Sequence, residues 1–116
     1  MDGDTISVMR DGEEVSVRLN GIDAPEDKQA FSEGAKKGCS DLCYGKEVLV
    51  FVMGTDRYGR TLADIALPNG AILNQELVKQ GCAWWYREYA PDNKMLQQLE
   101  AKAQSRKIGL WADLNA

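Results

Sequence analysis

Two short runs of alternating residues, joined by a turn dipeptide, limit what this chain can fold into more than any other feature. Thr5-Ile6-Ser7-Val8-Met9 sends polar and apolar side chains to opposite faces, and Val15, Val17 and Leu19 repeat the alternation on the way back. Asp11-Gly12 lies between them, a preferred pair for a type I′ hairpin turn, which needs positive φ at both positions. The chain therefore opens with an antiparallel hairpin. In such a pair the start of one strand lies beside the end of the other. Asp4 heads the first strand and Asp23 follows the second, so their carboxylates are expected to converge. Arg18 alternates with Val17 and is expected to point away from it, toward a polar face, near enough to Asp23 to meet the same anion. Gly21-Ile22-Asp23-Ala24-Pro25-Glu26 breaks the alternation, and Pro25 biases Ala24 toward an extended conformation; the segment reads as a loop.

The remaining periodicities give the architecture. Phe31, Ala35, Cys39 and Leu42 mark one face of a helix over 29–43, with Gly45 as its stop. Residues 47–53 are β-rich and apolar, and a polar, glycine-flanked loop over 54–60 leads to a strand over 61–67. A turn at Pro68-Asn69-Gly70 follows. Leu73, Leu77 and Val78 predict a short helix ending at Gly81, and residues 82–85 a fifth short strand. Asp92 or Asn93 caps a last helix that buries Leu96, Leu99 and Ala103, and Trp111 is expected to fold back onto the core. The order β-β-α-β-β-α-β-α predicts an α+β fold, mainly β: a five-stranded OB-type barrel with three helices, one domain over 1–116. Of the adjacent Trp84 and Trp85, which point to opposite faces, at least one should be core.

Composition narrows the chemistry. The chain has no histidine, which removes a histidine general base, Ser-His-Asp catalysis and the usual histidine zinc ligands. Cys39 and Cys43, four apart on a helix, read as small core residues; a bridge from Cys82 to one of them stays open. No run of 18 apolar residues predicts a membrane span, and the opening Met1-Asp2-Gly3-Asp4 does not have the form of a signal peptide. The net charge of −4 is unusual for a nucleic-acid binder, but its distribution is informative. Residues 1–34 hold nine acids against three bases, net −6, whereas the remainder is net +2. Acid gathered in the first third suits a hard-cation site of oxygen ligands, and a bound divalent ion would locally reverse the sign of the patch.

Asp4, Arg18, Asp23 and Glu26, with a second arginine from Arg57 to Arg60, have the parts that phosphodiester hydrolysis needs. A cation offsets charge on the phosphoryl oxygens, guanidinium groups grip the phosphate, and a carboxylate orients or deprotonates the attacking water. Taken singly each residue is unremarkable, since an acid before a proline is usually a loop residue and a strand arginine usually a surface contact. Their clustering around one hairpin makes the case.

At these positions the chain resembles the staphylococcal nuclease (thermonuclease) family. The matching pieces are Asp2-Gly3-Asp4-Thr5, Arg18-Leu19, Ile22 to Glu26, Thr55 to Arg60, Asn74 to Gly81, Tyr89-Ala90-Pro91, and the last helix followed by Gly109-Leu110-Trp111, in the same order over nearly the whole chain. The resemblance implies an OB-type barrel with three helices and a Ca²⁺-dependent endonuclease acting on DNA and RNA with little sequence preference, releasing 3′-phosphate ends. It assigns Asp4 and Asp23 as carboxylate ligands of calcium and Ala24 as the donor of a backbone carbonyl. Glu26 would be the general base or water-orienting group. Arg18 and Arg60 would clamp the phosphate, and Tyr58 and Tyr89 would line the nucleotide pocket, with Arg57 and Arg87 beside it. Arg87 replaces a pocket tyrosine of the family, which alters base stacking. Family members are commonly exported, which favours a secreted or periplasmic site. They also carry a further strand ahead of Asp-Gly-Asp, where this chain has Met1 alone, so the first strand of the barrel is expected to be truncated or its edge open. The chain is expected to be a monomer, with lowered stability or edge-mediated association if that strand is missing.

Two other readings compete. A catalytically inactive nuclease-like module that only holds nucleic acid should have lost part of the set Asp4, Arg18, Asp23, Glu26 and Arg60, and all five are present. A bare single-strand-binding OB domain expects a basic groove with exposed aromatics, which a pI near 4.8 and the acid cluster do not match.

Overall fold

Both residues of the opening turn take positive φ, 52° at Asp11 and 83° at Gly12, and the strands on either side pair in the register the alternation implies. In this computed structural model, which describes residues 3–26 and 28–112, β1 (Thr5–Arg10) and β2 (Glu13–Leu19) pair antiparallel, with Thr5 opposite Arg18 and Val8 opposite Val15. The chain then turns at Asn20-Gly21 into a two-residue strand, β3 (Ile22–Asp23). It continues through α1 (Ser32–Cys43), β4 (Leu49–Thr55), β5 (Thr61–Ala66), α2 (Leu73–Lys79), β6 (Trp84–Trp85) and α3 (Lys94–Arg106), and a 3₁₀ turn at Gly109–Trp111 ends the described part. The main sheet has the order β1-β2-β5-β4, with β2 and β5 parallel and the other pairs antiparallel; β3 and β6 form a separate antiparallel pair.

Three expectations change. The segment after β2 is not loop throughout, because Ile22 and Asp23 pair with Trp85 and Trp84 before Pro25 interrupts. The first helix starts at Ser32 rather than residue 29, because Gln29 is used in a turn, accepting from the Glu26 amide at 2.6 Å and donating its own amide to the Glu26 carbonyl at 3.0 Å. The sheet is OB-like in its strands and helices, but the described residues do not close it into a barrel. Strands β1 and β4 are its two edges, and an open groove of about 1090 Å³ lies between them, lined by Ile6, Val8, Val15, Val50 and Val52 among others.

The core lies on the other side, where β2, β3 and β5 meet α2 and α3 through Val17, Leu19, Ile22, Ile65, Leu73, Leu77, Val78 and Leu96, each at most 1% exposed. Asn93 caps α3 by accepting from the Leu96 amide at 3.0 Å. Trp85 is the buried member of the tryptophan pair, and its indole N–H donates to the Ala90 carbonyl at 2.7 Å. Glu100, buried on α3, accepts from the Trp85 amide at 2.8 Å and from Arg87 at 2.9 Å, fixing β6 to α3. Asn74, 2% exposed, joins three parts of the fold. Its amide group donates to the carbonyls of Asn20 (2.9 Å) and Ala63 (3.1 Å) and to Asp64 Oδ1 (3.2 Å), while its oxygen accepts from the Ile65 amide (3.1 Å). Trp111 is half-buried in the terminal turn, which the Leu110 amide anchors to the Gly81 carbonyl at 2.8 Å. The cysteines are free thiols, Cys39 and Cys82 buried and Cys43 half-buried, so the Cys82 bridge is not formed. No described helix is long and apolar enough to cross a membrane.

Candidate functional site

The hairpin register builds the site. Thr5 opposite Arg18 puts Asp4 beside Leu19, whose amide donates to the Asp4 carbonyl at 2.8 Å. Gly21, at φ 78°, reverses the chain so closely under Leu96 and Ala90 that a Cβ there would lie 3.1 Å from Leu96 Cδ1; this tight corner returns Asp23 toward Arg18. Gly3, the glycine of Asp-Gly-Asp, lets the chain pass close to α1, where a Cβ would meet that of Ala35 at 3.0 Å.

Asp4 and Asp23 do converge. The Ala24 amide donates to both, at 3.0 Å to Asp4 Oδ2 and 3.0 Å to Asp23 Oδ1. Arg18 Nη2 stands 3.6 Å from Asp4 Oδ2 and 3.4 Å from Asp23 Oδ1. Its Nη1 donates to the carbonyls of Leu19 (2.9 Å) and Ile22 (2.8 Å). The polar face expected for Arg18 is thus not a solvated one: the residue is 6% exposed, enclosed by the corner it braces. A buried guanidinium is tolerated only when its donors and charge are satisfied, and here two carbonyls and two carboxylates do so. Burial pushes the Asp23 carboxyl up to about 6; a hydrogen bond and charge repulsion from Asp4 act in the same direction, and Arg18 opposes them.

Two facing carboxylates that resist sharing negative charge are an oxygen donor set of the kind that hard divalent cations hold together. Asp4 and Asp23 supply carboxylate oxygens of the type that suits such an ion, and the Ala24 amide holds one oxygen of each. Among the described residues no third carboxylate or thiol joins them into a larger ligand cluster. Glu26 is exposed, three residues past Asp23 and outside that hydrogen-bonded group.

The loop between β4 and β5 is organised around itself. Asp56 Oδ1 accepts from the amides of Tyr58 (2.9 Å) and Arg60 (2.8 Å), and its Oδ2 receives Arg60 Nε at 2.6 Å. Burial pushes the Asp56 carboxyl up, but these donors outweigh it and hold its pKa below the ordinary range. Tyr58, 70% exposed, lies under both guanidinium groups, with Arg57 at 5.1 Å and Arg60 at 5.6 Å from its ring centre. Thr61 pairs with Val17, so the Arg60 backbone lies within two residues of Arg18 along neighbouring strands. Its guanidinium nevertheless faces Asp56.

Beyond β6, Tyr89 stacks on Tyr86 with ring centres 4.6 Å apart. Arg87 lies over the Trp85 ring at 4.5 Å and pairs with Glu100, so it braces α3 and is not brought to the carboxylates. Tyr86 was not among the site residues read from the sequence. Its amide donates to the Gly21 carbonyl at 2.9 Å, and the charge of Asp23 is among the influences that raise its hydroxyl pKa, after Glu88. Its place follows from the β3–β6 pairing, which sets Asp23 opposite Trp84 with Tyr86 just beyond that pair.

The order of these pieces along the chain can be set against known families. The family model described as Staphylococcal nuclease homologue matches residues 16–113. The chain belongs to this family. Among its relatives, a Haemophilus influenzae protein described as an uncharacterized endonuclease is 49% identical over 115 residues, which are 98% of this chain and 64% of that protein. A micrococcal nuclease of Shigella flexneri is 40% identical over 125 residues, covering all of this chain and 72% of the relative. An uncharacterized endonuclease of Escherichia coli O157:H7 is 42% identical over 113 residues, 97% of this chain and 73% of the relative. The chain spans 64% to 73% of the length of these relatives.

Proposed function

We propose that the chain is the catalytic domain of a calcium-dependent endonuclease that hydrolyses phosphodiester bonds of DNA and RNA with little sequence preference and leaves 3′-phosphate ends. The observation that carries this reading is the meeting of Asp4 and Asp23 at the Ala24 amide with Arg18 Nη2 facing both. The relatives named as nucleases support the reaction class. Asp4, Asp23 and the Ala24 carbonyl would hold calcium, which when bound offsets charge on the phosphoryl oxygens.

The chain's own groups do the rest. Arg18 is braced by two carbonyls, so its Nη2 is held in place before substrate arrives, and a preset donor costs no reorganisation as charge develops. The exposed Glu26 carboxylate orients the attacking water and takes its proton. Arg60 leaves Asp56 to bind a second phosphoryl oxygen, pairing with Arg18 as a clamp. Water attacks phosphorus in line, and the bond to the 5′ oxygen breaks. Tyr58 and Tyr89 stack on the flanking nucleotides, with Arg57 at the edge.

Digestion of plasmid and heat-denatured DNA and of RNA, each with calcium, with magnesium and with excess chelator, tests the proposal. Cleavage supported by calcium, abolished by chelator and ending in 3′-phosphates is expected. Binding of the polynucleotide without cleavage under every condition would replace it with the inactive-module reading, and cleavage in chelator would refute the calcium role.

A further inference from the structure

Between the buried Pro25 and the start of α1, Glu26 stands on a short exposed loop, and Gln29 closes that loop. The Glu26 amide donates to Gln29 Oε1 at 2.6 Å, and the Gln29 amide donates to the Glu26 carbonyl at 3.0 Å. One residue thus takes up both polar groups of the Glu26 backbone. Only the oxygen end of the Gln29 side chain can accept from an N–H. Lys28, just before Gln29, is left-handed at φ 74°, which turns the chain back so that Gln29 reaches Glu26. Phe31 is left-handed as well, at φ 66°, and its ring lies on the first turn of α1, where a Cβ at Gly34 would be 2.6 Å from Phe31 Cε1. Residues with a side chain seldom take this conformation, and it persists where the surroundings hold it. Phe31 belongs to the apolar period of α1, yet the helix begins at Ser32 and leaves residues 29–31 to the loop.

We propose that Gln29 is a positioning residue of the reaction, which holds the Glu26 backbone on both sides and so aims the Glu26 carboxylate at the attacking water. This rests on the reading of Glu26 as the group that orients that water. Asp4 and Asp23 are set by the hairpin register and by the Ala24 amide. Glu26 lies three residues past Asp23, outside that register, so its direction has to come from the loop. A carboxylate on an unrestrained loop samples many directions, and a misplacement of about 1 Å costs about a hundredfold in rate. The Gln29 oxygen is engaged by the backbone and faces no substrate atom. Its effect therefore falls on turnover and leaves substrate affinity alone.

Cleavage of heat-denatured DNA with calcium by Gln29→Ala, Gln29→Met and Gln29→Glu, with Glu26→Gln alongside, tests it. Alanine and methionine remove the acceptor. They should lower kcat about ten- to a hundredfold with KM and the urea midpoint unchanged, since the residue is exposed. Gln29→Glu keeps an oxygen at the same reach and should restore most of kcat. Two readouts separate aiming from general loosening. The Glu26 amide should exchange with solvent about fivefold faster in Gln29→Ala and Gln29→Met, the effect of losing one net hydrogen bond, and at the unaltered rate in Gln29→Glu. Gln29→Ala added to Glu26→Gln should lower kcat no further, because no carboxylate is left to aim. Normal kcat in Gln29→Met, or full additivity of the two changes, overturns the positioning role and leaves the reading of Glu26 in place. Equal loss in all three Gln29 variants with a lowered urea midpoint overturns it too, since the loop would then serve folding alone. Undiminished turnover in Glu26→Gln defeats the reading of Glu26 itself and this role with it, and faster exchange of the Glu26 amide would then mark Gln29 as a brace of the loop only.

Discussion

The corner around Arg18 and the loop around Arg60 hold one arginine each, and they treat it in opposite ways. Arg18 is buried, tied by Nη1 to two carbonyls of the corner and aimed by Nη2 at two carboxylates. Arg60 is 40% exposed at its side chain and closed onto Asp56, four residues back, in a ring that its own loop supplies. The first arginine is part of what makes the fold; the second can change partner without disturbing the fold. A phosphate clamp built from both has one fixed jaw and one movable jaw. The difference follows from the backbone. The hairpin register and Gly21 leave Arg18 nowhere else to go, whereas Arg60 would have to leave Asp56 to take a phosphate.

That contrast can be broken experimentally, beginning with the largest effect. Arg18→Ala leaves Asp4 and Asp23 together in a buried site, so unfolding free energy should fall by about 3–5 kcal/mol, read by urea titration, along with a loss of DNA hydrolysis. A variant as stable as wild type would show that the corner does not depend on its arginine. Glu26→Gln should lower turnover by about 10²–10⁴ with an unchanged urea midpoint, because the side chain is exposed; near-normal turnover would remove Glu26 from the reaction. For Arg60→Ala the expected loss is about 10²–10³ in turnover, with stability moved by about 1 kcal/mol, because Asp56 keeps its two backbone amide donors and the Arg60 side chain is 40% exposed. If stability falls as far as in Arg18→Ala, the two regions are not different in kind. The smallest effect belongs to Tyr89→Ala, which removes one stacking face and should raise KM about tenfold with kcat little changed; a loss confined to kcat would place Tyr89 elsewhere in the mechanism.

The carboxylate pair was legible in the sequence because it depends on a single local fact, the antiparallel register of a hairpin whose turn residues and alternation are both explicit. Asp4, Asp23 and Arg18 come together by counting residues. The elements followed for the same reason, since helix and strand periods are short-range. What could not be read were contacts made across the chain. Strand β3 is only two residues long and exists because Trp84 and Trp85, some sixty positions later, supply its partner. The hold of Asp56 on Arg60 depends on how the loop curls, which no periodicity encodes. Arg87, which stands where the resembling family has a pocket tyrosine, pairs with Glu100, a buried carboxylate on α3, and no local pattern announces that partner. The burial of Arg18 escaped alternation as well, because the chain that covers it reverses at Asn20-Gly21 and returns as the two-residue β3.

Asn74 has one more consequence. Its side-chain NH₂ faces three oxygen atoms and its carbonyl faces one N–H, so the two ends of the amide are not interchangeable. Loss of ammonia from that amide as the protein ages would turn the donor into a carboxylate oxygen aimed at three acceptors. A change of a single mass unit would then unfasten α2 from β5 and from the turn that leads to Asp23, so the usable lifetime of the site is tied to the chemical persistence of one side chain outside it.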